Sequence, residues 1–191
     1  MTEIYGGVSN EKSKDWIQTF TGQKFFPLNP RIEDIKIEDI AHALSMLCRY
    51  GGHSSWFYSV AQHCVLVSYQ IGGNNLLALT GLLHDASEAY LVDIPRPIKY
   101  SPLLEGYRTL ELNLEKMIAE KFGTLFPFPQ EIYDADIEVY ASEARILMSP
   151  IHPDWDIPKY NSNLPIDRWS PMGAESIFLN RFKYLTKHLE E

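Results

Sequence analysis

Asn75-Leu76-Leu77-Ala78-Leu79-Thr80-Gly81-Leu82-Leu83-His84-Asp85-Ala86-Ser87-Glu88-Ala89-Tyr90 begins as apolar sequence and then carries His84, Asp85 and Glu88 in the same run. It reads as one helix, from about Asn75 to Tyr90, opening after Gly72-Gly73, with Pro95 and Pro97 closing the segment that follows. The neighbouring stretches have the same character. Upstream, about Tyr58 to Ile71 reads as a helix ending on those glycines. Before it, Ile37, Ile40, Ala41, Leu44 and Leu47 fall on the i, i+3, i+4, i+7 spacing of an amphipathic helix that Gly51-Gly52 ends. Downstream, Leu103 to Phe122 carries Leu110, Leu114, Met117 and Ile118 as its stripe and stops at Gly123. A further helix runs from near Gln130 to Met148, and the tail from Gly173 to His188 sets Ile177, Phe178, Phe182 and Leu185 on one face.

Few segments alternate with the period of a strand. The first thirty-five residues, broken by Gly6-Gly7, Gly22, Pro27 and Pro30, read as irregular or short extended pieces. Residues 150–171 form the longest irregular stretch, where Trp155, Trp169 and Pro171 are expected to anchor a surface crossing. The expected class is all-α: one helical bundle over 1–191, with its helical core at about 36–189 and an irregular N-terminal segment.

A chain of 191 residues fits one domain and buries a core without staples. Hydrophobic residues at 45% and charged residues at 22% are ordinary for a globular protein. The net charge of −8 argues against sequence-independent nucleic-acid binding, which depends on Lys and Arg neutralising phosphates. No signal-like leader or membrane-length apolar run is present, and Cys48 and Cys64 form no paired motif. A reduced cytoplasmic setting, in a bacterium or in the host of a phage, is expected. An acidic protein that acts on a phosphate-bearing small molecule needs local positive charge, which a divalent cation supplies.

Ionisable side chains inside apolar helices are the candidates for chemistry. His63 lies in Val60-Ala61-Gln62-His63-Cys64-Val65, His84 and Asp85 in Leu82-Leu83-His84-Asp85-Ala86, and Asp136 in Ala135-Asp136-Ile137. A polar group in such a stripe finds a partner or costs a few kcal/mol. Taken singly, each has an ordinary structural explanation as a hydrogen-bonded core residue or a solvated one. Taken together, two imidazoles and two carboxylates from three helices can share a divalent ion, as bundle cores do. Neutral imidazole and carboxylate suit Mn, Co, Fe, Ni and Zn, with Mg also considered. Cys64 reads as core packing, and His42, His152 and His188 as structural or solvent-facing.

The order His63, His84-Asp85, Asp136 resembles the H…HD…D signature of the HD-domain phosphohydrolases. Ser59-Val60-Ala61-Gln62-His63, Leu82 to Ala89, Asp93-Ile94-Pro95-Arg96-Pro97-Ile98-Lys99-Tyr100 and Ala135-Asp136 with Glu143-Ala144 resemble in particular the branch of bacterial 5′-deoxynucleotidases and phage deoxyadenosine triphosphate hydrolases. Matching pieces run from about Trp16 to Phe182. The resemblance implies an HD-type helical bundle with one divalent metal at His63, His84, Asp85 and Asp136. It implies that Glu88 activates or positions the attacking water and that Asp93 takes part in proton transfer. Arg49 matches a nucleotide-contacting arginine and Lys99 a phosphate-side lysine. Arg96 and Arg108 are weaker substrate candidates, and Arg145 is equally an ion-pair partner. Where relatives often carry Trp after that arginine, this chain has Tyr50; Tyr50 or Trp56 can stack on a base or simply pack. His53 lies near the expected pocket.

The expected function is hydrolysis of a deoxynucleotide, most sharply dATP to deoxyadenosine and triphosphate, or alternatively of a deoxynucleoside monophosphate. Another nucleotide phosphodiesterase and a non-catalytic nucleotide-binding module are the remaining alternatives. The expected partner is a small nucleotide, with neither nucleic acid nor membrane, and a homo-oligomer only by analogy.

Overall fold

The apolar runs do become helices, and the computed structural model describes them over residues 15–148, 150–159 and 164–189. Gly6-Gly7, part of the N-terminal expectation, lies outside the described residues. The described N-terminal part is an antiparallel hairpin of β1 (Ile17–Gln18) and β2 (Lys24–Phe25), with Ile17 opposite Phe25 and Gln18 opposite Lys24. Phe25 is fully buried and stacks on Tyr90 with ring centroids 4.0 Å apart, which fastens the hairpin to the bundle.

The bundle comprises α1 (Ile37–Met46), α2 (Val60–Ile71), α3 (Asn75–Leu83), α4 (Glu88–Leu91), α5 (Arg96–Lys99), α6 (Glu105–Phe122), α7 (Gln130–Leu147) and α8 (Pro171–Lys187). The fold is therefore all-α. At its centre is α2, whose residues from Val60 to Ser68 are all buried and which packs against α1, α3, α7 and α8. Ser59 starts α2, its side chain accepting from the Gln62 amide at 3.1 Å, a cap typically worth about 1 kcal/mol. One apolar cluster gathers Leu44, Val65, Leu79, Leu82, Leu114 and Phe178 from α1, α2, α3, α6 and α8. A second joins Tyr58, Val67, Val139 and Leu147 between α2 and α7. Each fully buried large apolar side chain contributes roughly 1.5–3 kcal/mol.

The expected helix from Asn75 to Tyr90 is not continuous. It is regular to Leu83, and the next turn tightens: the Ala86 amide bonds Leu83 O and the Glu88 amide bonds Asp85 O, both at 3.0 Å. The cause is local. His84 Nδ1 bonds back to Gly81 O at 2.7 Å, taking the acceptor that a regular helix offers to Asp85. Gly81 also sets the approach of α3 to α2, since a Cβ there would run into Ile71 Cδ1 and come within 3.3 Å of Val67 Cγ1.

The first helix ends at Met46, ahead of Gly51-Gly52. Leu47 turns extended, and the chain makes an excursion closed by Arg49 N to Tyr58 O (2.9 Å) and Val60 N to Leu47 O (3.0 Å). The glycines lie within that excursion, in a tight turn over Arg49–Gly52 where Tyr50 and Gly51 both have φ +58°. The last helix begins at Pro171, two positions ahead of the expected Gly173, because Ser170 accepts from the Gly173 amide at 3.1 Å and proline suits the first helical position. Pro95 precedes the single turn of α5 and Pro97 is its second residue, a short helix that the sequence pattern does not signal. The crossing over 150–159 and 164–170 is irregular as expected, and Trp155 Nε1 donates to the Tyr140 hydroxyl at 2.8 Å. Among the described residues no helix is long and apolar enough to cross a membrane. Cys48 and Cys64 are free, and Cys64 is buried in the core.

Candidate metal centre

His63 projects from the middle of α2 and is completely buried. The close packing of α3 on α2 brings the turn after α3 alongside it, so that His63 and His84 have ring centroids 5.3 Å apart. Asp85 Oδ2 lies 3.3 Å from His84 Nε2 and 3.7 Å from His63 Nε2. These three residues place ligand-type atoms within 4.8 Å of one another, close enough to hold one metal ion. Asp136 joins from α7, with Oδ1 3.0 Å from His63 Nε2.

The imidazoles are oriented from behind. His84 Nδ1 is held by Gly81 O, and His63 Nδ1 by Glu143 Oε1, both at 2.7 Å. Both Nε2 atoms are buried without a hydrogen-bond partner; Asp136 and Asp85 are near them but off the line of an N–H bond. A buried imidazole nitrogen without a partner is costly in a finished core. Two of them converging on carboxylates, each with its outer nitrogen fixed by a backbone or carboxylate oxygen, fit the donor set and outer support of a divalent ion.

The remaining sequence candidates are spread around this cluster, and Arg96 is exposed with its guanidinium 5.4 Å from the Tyr100 ring centre. Glu88, one tight turn beyond Asp85, is buried, with Oε2 unpartnered. Asp93 follows Val92, a β-branched residue at φ +62°, whose carbonyl accepts from the Tyr107 hydroxyl at 2.9 Å. Arg49 points toward the cluster, Nη1 3.5 Å from Asp85 Oδ2 and Nε 3.2 Å from Glu143 Oε2. Lys99 is engaged by Glu111 at 2.7 Å. Arg108 is committed to scaffolding, donating to Lys99 O at 2.8 Å and Ser101 O at 2.9 Å. Tyr50 donates its hydroxyl to Glu143 at 3.0 Å, and Trp56 lies under the Arg168 guanidinium, 4.5 Å from its ring centre. His53 lines a separate cavity of about 420 Å³ with Ser55, Met148 and Trp155, to which none of the four candidate ligands contributes. His42 pairs with Glu175 at 3.1 Å, and Arg145 donates to Pro158 O at 2.6 Å.

Glu143, quoted in the sequence only as part of the resembling Glu143-Ala144 piece and given no role there, is central: it is wholly buried, accepts from His63, Tyr58 and Tyr50, and is ion-paired with Arg49. The signal was present: Asp136, Val139 and Glu143 stand at i, i+3 and i+7 on α7, and Glu143 sits between Ala141 and Ala144.

Charge is arranged accordingly. Burial and Arg49 push His63 toward its neutral form, but Glu143 and Asp136 outweigh them and lift it to about 9. Burial would raise Glu143, yet Arg49 and His63 hold it at about 2. Asp85 is held far below the usual carboxylate range, because His84, His63 and Arg49 together overcome its burial. Glu88 goes the other way: burial, then the charges of Asp85 and Asp93, raise it well above its ordinary value. Asp93 is raised as well, by burial and by Asp85, against the pull of Arg49 and Lys99. The site thus pairs carboxylates kept ionised with carboxyls able to keep a proton, the separation that acid–base chemistry uses.

Fold and site together define an all-α protein with a buried His/His/Asp cluster suited to a divalent ion. No family model matches the chain. Over 132 residues it is 42% identical to the uncharacterized protein YfdR of Escherichia coli (strain K12), a match covering 69% of this chain and 72% of that protein. The chain belongs to the family of YfdR. It is also similar to the uncharacterized protein RCAP_rcc00048 of Rhodobacter capsulatus, 34% identical over 124 residues, which span 61% of this chain and 63% of that protein.

Proposed function

We propose that the protein is a metal-dependent phosphohydrolase acting on a nucleotide, with His63, His84, Asp85 and Asp136 as the metal ligands. The observation that carries this reading is the pair of buried, unpartnered Nε2 atoms converging on Asp85, each imidazole fixed through its Nδ1. The H…HD…D order of the ligands, with its resemblance to the HD-domain phosphohydrolases, supports the same conclusion. When bound, a divalent ion supplies Lewis acidity toward a phosphoryl oxygen and activates water.

The chain's own residues divide the remaining work. Glu88 is a buried carboxyl of raised proton affinity, so in its ionised form it takes the proton of the attacking water and then delivers it toward the leaving oxygen. Asp93, raised by burial and by the charge of Asp85 that also raises Glu88, is the second proton carrier. Arg49 presents a guanidinium to the phosphate, and Lys99 adds positive charge that Glu88 and Asp93 both feel.

The two substrate classes expected from sequence differ in how much cationic charge they demand. A triphosphate tail requires several cations beyond the reacting phosphoryl group. Here Arg49 is balanced by Glu143 and Asp85, Lys99 by Glu111, and Arg108 is spent on carbonyls. Arg96 lies exposed over the Tyr100 ring and adds one charge where a triphosphate needs several, so the inventory supports a deoxynucleoside monophosphate ahead of dATP.

The test is a product assay. The metal-stripped protein is supplied with Mg, Mn, Co or Zn and offered deoxy- and ribonucleoside mono- and triphosphates, with orthophosphate, pyrophosphate and triphosphate distinguished. Orthophosphate from monophosphates is the expected result. Triphosphate from dATP would reverse the substrate order, and no turnover with any ion would reject the enzyme reading.

A further inference from the structure

The hydrolytic reading leaves Glu143 without a role, although it has the densest set of polar contacts described around the cluster. Its Oε1 accepts from His63 Nδ1 and from the Tyr58 hydroxyl, each at 2.7 Å. Its Oε2 accepts from the Tyr50 hydroxyl at 3.0 Å and lies 3.2 Å from Arg49 Nε. One oxygen therefore serves the back of a candidate ligand, and the other serves the turn that carries the candidate anion-binding arginine. Tyr50 adopts φ +58° and ψ +25°, a conformation that L side chains seldom take, and its hydroxyl bond to Glu143 adds to the backbone bonds that hold the turn. Packing alone does not call for a carboxylate here, since an ionised group at zero exposure is costly unless charged and hydrogen-bonding partners surround it.

We infer that Glu143 is a positioning residue coupling the two halves of the site: it orients His63 toward the ion and holds the Arg49–Tyr50 turn toward an anion, so that ion and anion bind cooperatively. The inference rests on the metal reading of His63, His84 and Asp85. The sign of the coupling follows from charge. Asp85 Oδ2 faces both imidazoles and also lies 3.5 Å from Arg49 Nη1. An ion that draws on Asp85 removes part of Arg49's counter-charge. The guanidinium, still ion-paired with Glu143, then meets an anion with less of its charge opposed. By linkage, the anion tightens ion binding by the same factor.

The experiment is titration of Mn²⁺ into the metal-free full chain, with free ion followed by its paramagnetic resonance signal, with and without dilute inorganic phosphate. Phosphate is expected to tighten Mn²⁺ binding by about fivefold or more in the wild type. Glu143→Gln is expected to weaken Mn²⁺ binding by about 10–100-fold, the usual effect of losing an outer partner of a metal-bound imidazole. Its response to phosphate should disappear. Tyr50→Phe leaves the His63–Glu143 bond intact, so Mn²⁺ affinity without phosphate should stay within about threefold while the phosphate effect shrinks. A folded Glu143→Gln protein with wild-type Mn²⁺ affinity would overturn the inference. If that variant does not fold, full phosphate coupling in Tyr50→Phe overturns it instead. Failure of the wild type to bind Mn²⁺ or any other divalent ion rejects the metal reading itself, and the inference with it.

Discussion

Replacing Glu88 with Gln separates what this carboxyl does for chemistry from what it costs the fold. Glu88 is buried with one oxygen unpartnered, and the charges of Asp85 and Asp93 lie close enough to oppose its ionisation. Its folded-state pKa is raised above the ordinary 4.5, so the folded protein holds the proton more tightly than the unfolded chain. The stability Glu88 contributes is therefore complete at low pH and declines as pH rises through 4.5 and beyond. Glutamine keeps the shape and removes the titration. Metal-free Glu88→Gln should match the wild type near pH 4 and become the more stable protein toward pH 8, by an amount on the order of 1 kcal/mol.

Turnover should move the other way. Losing a general acid–base group slows reaction by roughly a hundred- to ten-thousand-fold. At 1.36 kcal/mol per tenfold, that is about 3–5 kcal/mol of lost transition-state stabilisation. Paired thermal melts at several pH values, with orthophosphate release from the best nucleotide, read both quantities on one preparation. A variant that is less stable at pH 8 and retains most of its turnover would refute the argument, because Glu88 would then be an ordinary packed side chain.

Other substitutions probe the rest of the site. His84→Ala and Asp85→Ala should each abolish metal retention and hydrolysis; full activity in either after chelation and dialysis rules out the proposed ligand set. Arg49→Ala should raise KM for the nucleotide. It should also destabilise the protein, since breaking a buried ion pair costs on the order of 3–5 kcal/mol and Glu143 would lose one of its two positive partners. An unchanged KM and melting temperature would remove Arg49 from both roles. Burial and the nearby Glu111 raise Glu115 to about 7, so Glu115→Gln should gain stability over the wild type as pH climbs from 4.5 through 7, and melts flat across that range would contradict it. Ser59→Ala should lower stability by about 1 kcal/mol through loss of the α2 cap, as measured by denaturant titration.

The parts of this protein that sequence disclosed share one physical origin. His63 stands among Ala61, Cys64 and Val67 in a helix buried on every side from Val60 to Ser68, and His84, Asp85 and Asp136 interrupt other apolar stripes. An ionisable group in that position requires a partner, so mere placement announces it. Helix class was legible for the same reason, because the apolar period survives any detail of tertiary contact. What stayed hidden depends on particular side-chain bonds. The break after Leu83 comes from one imidazole bonding back to Gly81 O, which no periodicity records. Tyr50 packs against the second apolar cluster, one of its two expected alternatives, but it also spends its hydroxyl on Glu143, and Arg108 spends its guanidinium on carbonyls.

Glu143 lies between the two cases. It satisfies the criterion that exposed the four ligand candidates, a charged group flanked by Ala141 and Ala144 at i+7 from Asp136, yet an isolated Glu on a helix is more often solvated. Burial resolves the matter. With His63 and Glu143 both at zero exposure and 2.7 Å apart, removing Glu143 leaves His63 Nδ1 in the core without its partner. The interior that makes α2 the centre of the bundle therefore also keeps His63 fixed, with its Nε2 turned to the one place where Asp85, His84 and Asp136 converge. Core packing and ligand orientation are here a single constraint, and for that reason a substitution at Glu143 should register in metal affinity as well as in stability.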